Sequence, residues 1–324
     1  MPGHERDNAS TGGAAAGLRG GIAGRALLAL AASLVAPGLA VAQVSLPPMN
    51  LGDSSIQDAI AGPGFAMQET IGFNRAARFR DARGGLAGRP AGLTAASVLT
   101  QLIYVSEHRL FGAYWGAEII IPVAHAALRQ GGGMARNDTA IGDIFVSPLM
   151  LQWPKTMLLG RPFWQRLNLN VTLPTGAYDN LAPLNIGTNA WVLNPHYAFT
   201  YEVSDDWEVS GRLHYLWSSA NADPPAALKA RRIQAGQAVH LNASVSRAFG
   251  DNLRIGLSGY YLRQISDDRI DAVRVGGREQ VLGIGPVVKW QAGRTALVAA
   301  AYWETLARDR PEGWRLSLRV ARGF

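Results

Sequence analysis

The sequence predicts an all-β protein: a transmembrane antiparallel β-barrel of about 12 strands. Three observations carry this reading. From Phe65 to Phe324, segments of about ten residues alternate apolar and polar side chains, the period of a strand with two different faces. Their connections alternate between long polar loops rich in Gly, Asp and Arg and tight links of two to five residues, as in hairpins that open on two different sides. No apolar run approaches the roughly 18 residues of a spanning helix. After residue 50 the longest candidates, Ala117–Ala124 (interrupted by Glu118) and Ala296–Trp303, have strand length.

Taken in order, the chain starts with a targeting segment. Arg19 and Arg25 precede an apolar core from Ala26 to Ala36, a Pro37-Gly38 break, and Ala40-Val41-Ala42 before Gln43. A basic region, a short apolar core and a small-x-small site describe a Sec-type signal peptide over residues 1–42, with a membrane anchor as the alternative. Residues 43–64 carry paired prolines and several glycines without periodicity. They read as a periplasmic N-terminal segment, either a plug in a lumen or a plain leader.

The barrel is expected over residues 65–324, with strands at about 65–77, 93–107, 111–125, 141–155, 161–175, 189–203, 206–219, 233–249, 252–265, 278–292, 295–305 and 313–324. Long connections fall at about 78–92, 126–140, 176–188, 220–232, 266–277 and 306–312. Short ones fall at Glu107-His108-Arg109, Thr156–Gly160, Ser204-Asp205, Gly250-Asp251 and Gly293-Arg294. Gly-Asp and Gly-Arg pairs suit two-residue hairpins, since Gly supplies the positive φ. Short turns belong to the periplasm and long loops to the outside, so an even strand number places both ends of the barrel on the periplasmic side.

The two faces of each strand separate cleanly. In the last strand Trp314, Leu316, Leu318, Val320 and Phe324 share one parity, and Arg315, Ser317 and Arg319 the other. In the fifth, Leu167, Leu169 and Val171 alternate with Arg166, Asn168 and Asn170; in the eighth, Val239, Leu241 and Val245 alternate with His240, Asn242 and Ser246. Aromatic pairs bracket strands at both ends (Trp207 with Trp217, Trp191 with Tyr201), as girdle residues do at membrane interfaces. The apolar parity therefore meets outer-membrane lipid, and the polar parity lines a lumen. A terminal Phe in phase with the lipid face, Phe324, also suits recognition by the barrel-assembly machinery.

The chain has no Cys, which suits passage through an oxidising periplasm. Without residues 1–42 it keeps 28 basic and 22 acidic residues. The basic ones are scattered over loops and polar strand faces rather than gathered in a patch or helix, so no nucleic-acid partner is implied.

The runs IGDIFVSPLMLQWP (141–154), VTLPTGAYDN (171–180) and NIGTNAWVLNPHYAFTY (185–201) resemble the family called the MetA-pathway of phenol degradation. GYYLRQISDDRI (259–270), LGIGPVVKW (282–290) and the closing Gly-Trp-x-Leu strand are similar to its layout as well. The resemblance implies an outer-membrane barrel of Gram-negative bacteria encoded among aromatic-degradation genes. It implies no substrate.

Two groups of candidate site residues follow. On the lumen parity, Arg166, Arg212, Arg254, Arg315, Arg319 and Lys289 are expected to face Glu118, Glu202, Glu208 and Glu304, either as mutually paired charges or as a constriction that favours anions such as aromatic carboxylates. His196, His214 and His240 fall on the lumen side of neighbouring strands and can approach one another, which leaves a barrel hydrolase open as one alternative. No pair of His has metal spacing. At loop bases stand Gly142, Asp143, Pro174, Gly176, Asn189, Trp191, Gln264, Asp267 and Asp268. Most read as loop architecture, and the two aspartates as a solvated acidic turn that lacks the further oxygen ligands of a Ca²⁺ site. The function expected is passive uptake of small, hydrophobic or aromatic solutes without a cofactor or enzymatic chemistry. A non-conducting envelope barrel is the other alternative.

Overall fold

A computed structural model describes residues 44–87, 91–130 and 133–324; the expected signal peptide lies outside them. Twelve strands form the wall: β1 Gly64–Arg80, β2 Ala91–Leu110, β3 Ala113–Gln130, β4 Phe145–Gln152, β5 Arg161–Thr172, β6 His196–Glu202, β7 Trp207–Ser218, β8 Ala238–Phe249, β9 Leu253–Gln264, β10 Gln280–Ala292, β11 Thr295–Arg308 and β12 Arg310–Gly323. Each pairs antiparallel with its neighbour in sequence, and β1 pairs with β2 on one side and β12 on the other, so the sheet closes. The Phe324 N–H donates to the Phe65 carbonyl across that seam.

Alternation decides which way each side chain points. Leu241 and Val245 are exposed while His240, Asn242, Ser244 and Ser246 are buried; Leu213 is 55% exposed and its neighbour His214 2%. A soluble protein would hide the first set, and here it forms an apolar outer belt that lipid must cover.

Three connections differ from expectation. Glu107-His108-Arg109 is not a turn: β2 continues through it with a register shift between Val105 and Arg109, and the chain reverses at Phe111-Gly112. Both of those residues have positive φ, 51° and 77°, the geometry of a tight hairpin that matches strand twist. The link at 306–312 is not long, since only Asp309 separates β11 from β12. Residues 233–237 are not part of the eighth wall strand: Ile233–Gln234 pairs instead with Asp268–Ile270, which pairs with Val273–Val275, giving a three-stranded sheet at the long-loop end.

Residues 44–63 run inside the barrel. The Leu46 N–H bonds the Glu279 carboxylate at the long-loop end, Asn50 and Gly52 meet Asn242, and Ala59 meets Thr200 and Gln152 near the short-turn end. Irregular backbone away from water needs partners for its N–H and C=O groups, and polar wall side chains provide them. Leu46, Leu51 and Ile56 pack against Leu216, Leu262, Val281, Val298 and Tyr302 of β7 and β9–β11, filling one side of the lumen. Gly52 is required at its place: its φ is +77°, and a Cβ there would stand 2.7 Å from the Tyr302 ring.

Candidate functional site in the barrel lumen

The other side of the lumen is a cavity of about 760 Å³. It is lined from Glu279 and Arg310 at the long-loop end to Arg322 and Phe324 at the short-turn end. Basic side chains outnumber acidic ones along it. Period-2 geometry places the lining polar side chains: Arg166 and Asn170 on β5, Arg212 and His214 on β7, Lys289 on β10, Arg315 and Arg319 on β12.

The expected glutamate partners are not what these cations meet. Arg212 forms a two-bond fork with Asp58, Nε and Nη2 each 2.7 Å from a carboxylate oxygen. Arg315 lies 3.7 Å from Asp53, Arg319 donates to the Asp53 carbonyl, and Lys289 donates to Gln57. The counter-charges thus arrive on the internal segment. Glu118 instead accepts from Gln101 and Asn168, Glu208 from Ser210 and Ser246, and Glu304 from Tyr260 and the Gly313 N–H. Hydroxyl, amide and backbone donors satisfy these carboxylates, and none of the three has an ion-pair partner among the described residues. Arg254 and Glu202 lie at the short-turn rim, where Arg254 donates to the Asp206 carbonyl and the Glu202 carbonyl accepts from Arg161.

The three histidines do come together. Register puts His196 opposite His214 and His214 opposite His240. His214 and His240 stack with ring centroids 4.0 Å apart, His196 lies tilted against His214 at 4.6 Å, and all three are buried. His214 Nδ1 lies 2.9 Å from Asn194 Oδ1, and no protein group bonds the other five ring nitrogens among the described residues. No hydroxyl or carboxylate partners an imidazole there, so the hydrolase alternative gains no support. Among the described residues no His, Asp or Glu cluster is arranged to hold a metal.

The loop-base residues form a clasp over the long-loop end. Asp143, beside Gly142, accepts from the Gly176 N–H and from both the N–H and the hydroxyl of Thr188, at 2.6–2.8 Å. Gly176 and Gly187 touch backbone to backbone, and a Cβ on Gly187 would lie 2.6 Å from the Gly176 carbonyl oxygen. Asn189 takes a left-handed φ of 52° and donates to Asn221, while the Trp191 N–H bonds Ser219. Pro174 sits next to the Leu173 N–H that donates to the Ile144 carbonyl. Asp267 pairs with Arg278. Asp268 is not solvated as expected: it is fully buried, accepting from the Gly236 N–H and from Gln264. The three-stranded sheet to which it belongs has no long-range signal in the sequence.

Asp53 and Asp58 were not legible as lumen residues. A parity argument needs a periodic strand, and residues 43–64 have none.

Comparison with known proteins places these features. A family-level match to the MetA-pathway of phenol degradation spans residues 76–320. Among solved structures, the COG4313 outer membrane channel from Pseudomonas putida F1 is 15% identical, with a TM-score of 0.71, covering 86% of this chain and 100% of that one. That likeness is one of fold. The β-domain of the Bordetella autotransporter BrkA (13% identity, TM-score 0.48, covering 81% of this chain and 100% of that one) and the TodX ΔS2S3 monoaromatic hydrocarbon channel (9%, 0.41, covering 82% and 91%) match more loosely. No curated protein matches the sequence.

Proposed function

The chain belongs to the MetA-pathway of phenol degradation family, and from that membership we propose that it is an outer-membrane channel for passive uptake of small hydrophobic and aromatic compounds. One observation carries the reading. A cavity beside the internal segment of a closed barrel is lined by residues from both of the barrel's ends. A wall without a transport role has no need of such a space. The fold is shared with a protein described as an outer membrane channel. The long-loop clasp then faces outward and the short turns face the periplasm.

Residues 44–63 act as the plug of this channel, fixed by Arg212, Asn242, Tyr302 and Glu279 and leaving the lined cavity beside them free. Export by a Sec-type signal peptide and assembly through the Phe324 strand complete the proposal. Liposome swelling with the purified chain tests it. Faster entry of benzyl alcohol than of an equally sized sugar is the expected result. A folded barrel that passes no solute at all would leave the non-conducting alternative standing.

A further inference from the structure

We propose that Arg166 anchors the carboxylate of a small aromatic acid in the lumen cavity, and that this anion competes with Asp58 for the arginine cluster. The inference deepens the channel reading and rests on it for the route by which the ligand arrives.

Arg166 differs from the other lumen cations. Its Nε is buried and without a hydrogen-bond partner among the described residues, and it makes no ion pair there. Asp58 and Glu118 act on it through space, yet both are already held, Asp58 by Arg212 and Glu118 by Gln101 and Asn168. A guanidinium presents five N–H donors in a plane that matches a carboxylate. Without a carboxylate in direct contact, a guanidinium in a confined space is costly, and an anion entering from solution relieves that cost.

The cavity that reaches Arg166 also has an apolar wall, formed by Leu99 and Ile103 of β2, Ile120 of β3, and Phe145 and Met150 of β4. At about 760 Å³ it has the size of a small-molecule site. A neutral aromatic would use only the apolar wall, and a mineral anion only the arginine. An aromatic carboxylate uses both.

Competition follows from the charge count. Arg166, Arg212 and Arg319 all act on Asp58. A second carboxylate among these cations repels Asp58 and shares its partners, so the ligand and the internal segment weaken each other's hold. By linkage the effect is reciprocal.

The test is calorimetric titration of the full chain in detergent, with protein-free micelles as blank and benzoate and benzyl alcohol as probes. Benzoate is expected to bind at least about tenfold more tightly, since one charge-assisted contact corresponds to about ten- to hundredfold in affinity. Arg166→Gln should erase that preference, Arg166→Lys should restore part of it, and Asp58→Asn should tighten benzoate binding. Heat-modifiable migration on gels confirms that each variant is folded. Equal binding of the two probes, or a preference that survives Arg166→Gln, overturns the site; unchanged or weaker benzoate binding in Asp58→Asn overturns the competition. Flux separates this from the channel reading. Benzyl alcohol entry without an Arg166-dependent preference leaves the channel standing and the site refuted. Arg166-dependent binding without flux of any solute does the reverse.

Discussion

Asp58 and Arg212 tie the internal segment to β7, with side chains only 5% and 14% exposed. Removing one partner of such a pair leaves the other charge buried alone, a loss of about 3–5 kcal/mol. The wall strands keep their ladders without this pair, so the cost falls on docking of the segment rather than on the barrel. Asp58→Ala is therefore expected to raise single-channel conductance in planar bilayers while the heat-modifiable barrel band persists. Unchanged conductance would mean that other contacts suffice to hold the segment. Arg212 was readable from strand parity. Its partner was not, because parity sorts residues only within periodic strands, and the glutamates that parity offered are satisfied by serine, tyrosine and amide donors.

At the scale of elements, the three-stranded sheet at the long-loop end is pH-sensitive through Asp268. Burial raises this carboxyl to about 6, against the smaller opposing effect of its bonds from Gly236 and Gln264. A folded-state value above the ordinary 3.8 means that the folded sheet binds the proton more tightly than the unfolded chain. The sheet therefore loses stability as pH rises from about 4 to 6, and recovers it on acidification. Hydrogen exchange over Val273–Val275 is expected to be slower, after correction for intrinsic rates, at pH 5 than at pH 7.5, and Asp268→Asn should remove the difference. The clasp behaves differently. Asp143→Ala strands the Gly176 and Thr188 donors, at about 1.5–3 kcal/mol for each bond to a charged acceptor. Limited proteolysis within residues 176–188 should quicken while the barrel band stays intact. Such elements were half-legible. The Gly-Asp, Pro-Thr-Gly and Asn-x-Gly runs marked where the loops are tied, but the pairing of Ile233–Gln234 with Asp268–Ile270 joins two different loops, and local patterns carry no information about that.

For the molecule as a whole, the question is what the lumen becomes without residues 44–58. The wall closes independently of them, since β1 pairs along its length with both β2 and β12. Their removal uncovers the apolar patch under Leu46, Leu51 and Ile56, each worth about 1.5–3 kcal/mol of burial, so thermal stability should drop without loss of the fold. It also removes Asp53 and Asp58, leaving Arg166, Arg212, Arg315, Arg319 and Lys289 facing an open lumen with most of their counter-charge gone. A confined excess of positive charge concentrates anions and repels cations. The shortened chain should conduct several-fold more current than the parent, and its reversal potential in a KCl gradient should shift toward that of chloride. A gain in conductance without that shift would show that the segment obstructs the lumen but does not set its charge. Loss of the folded band would show instead that the segment is part of the barrel's core.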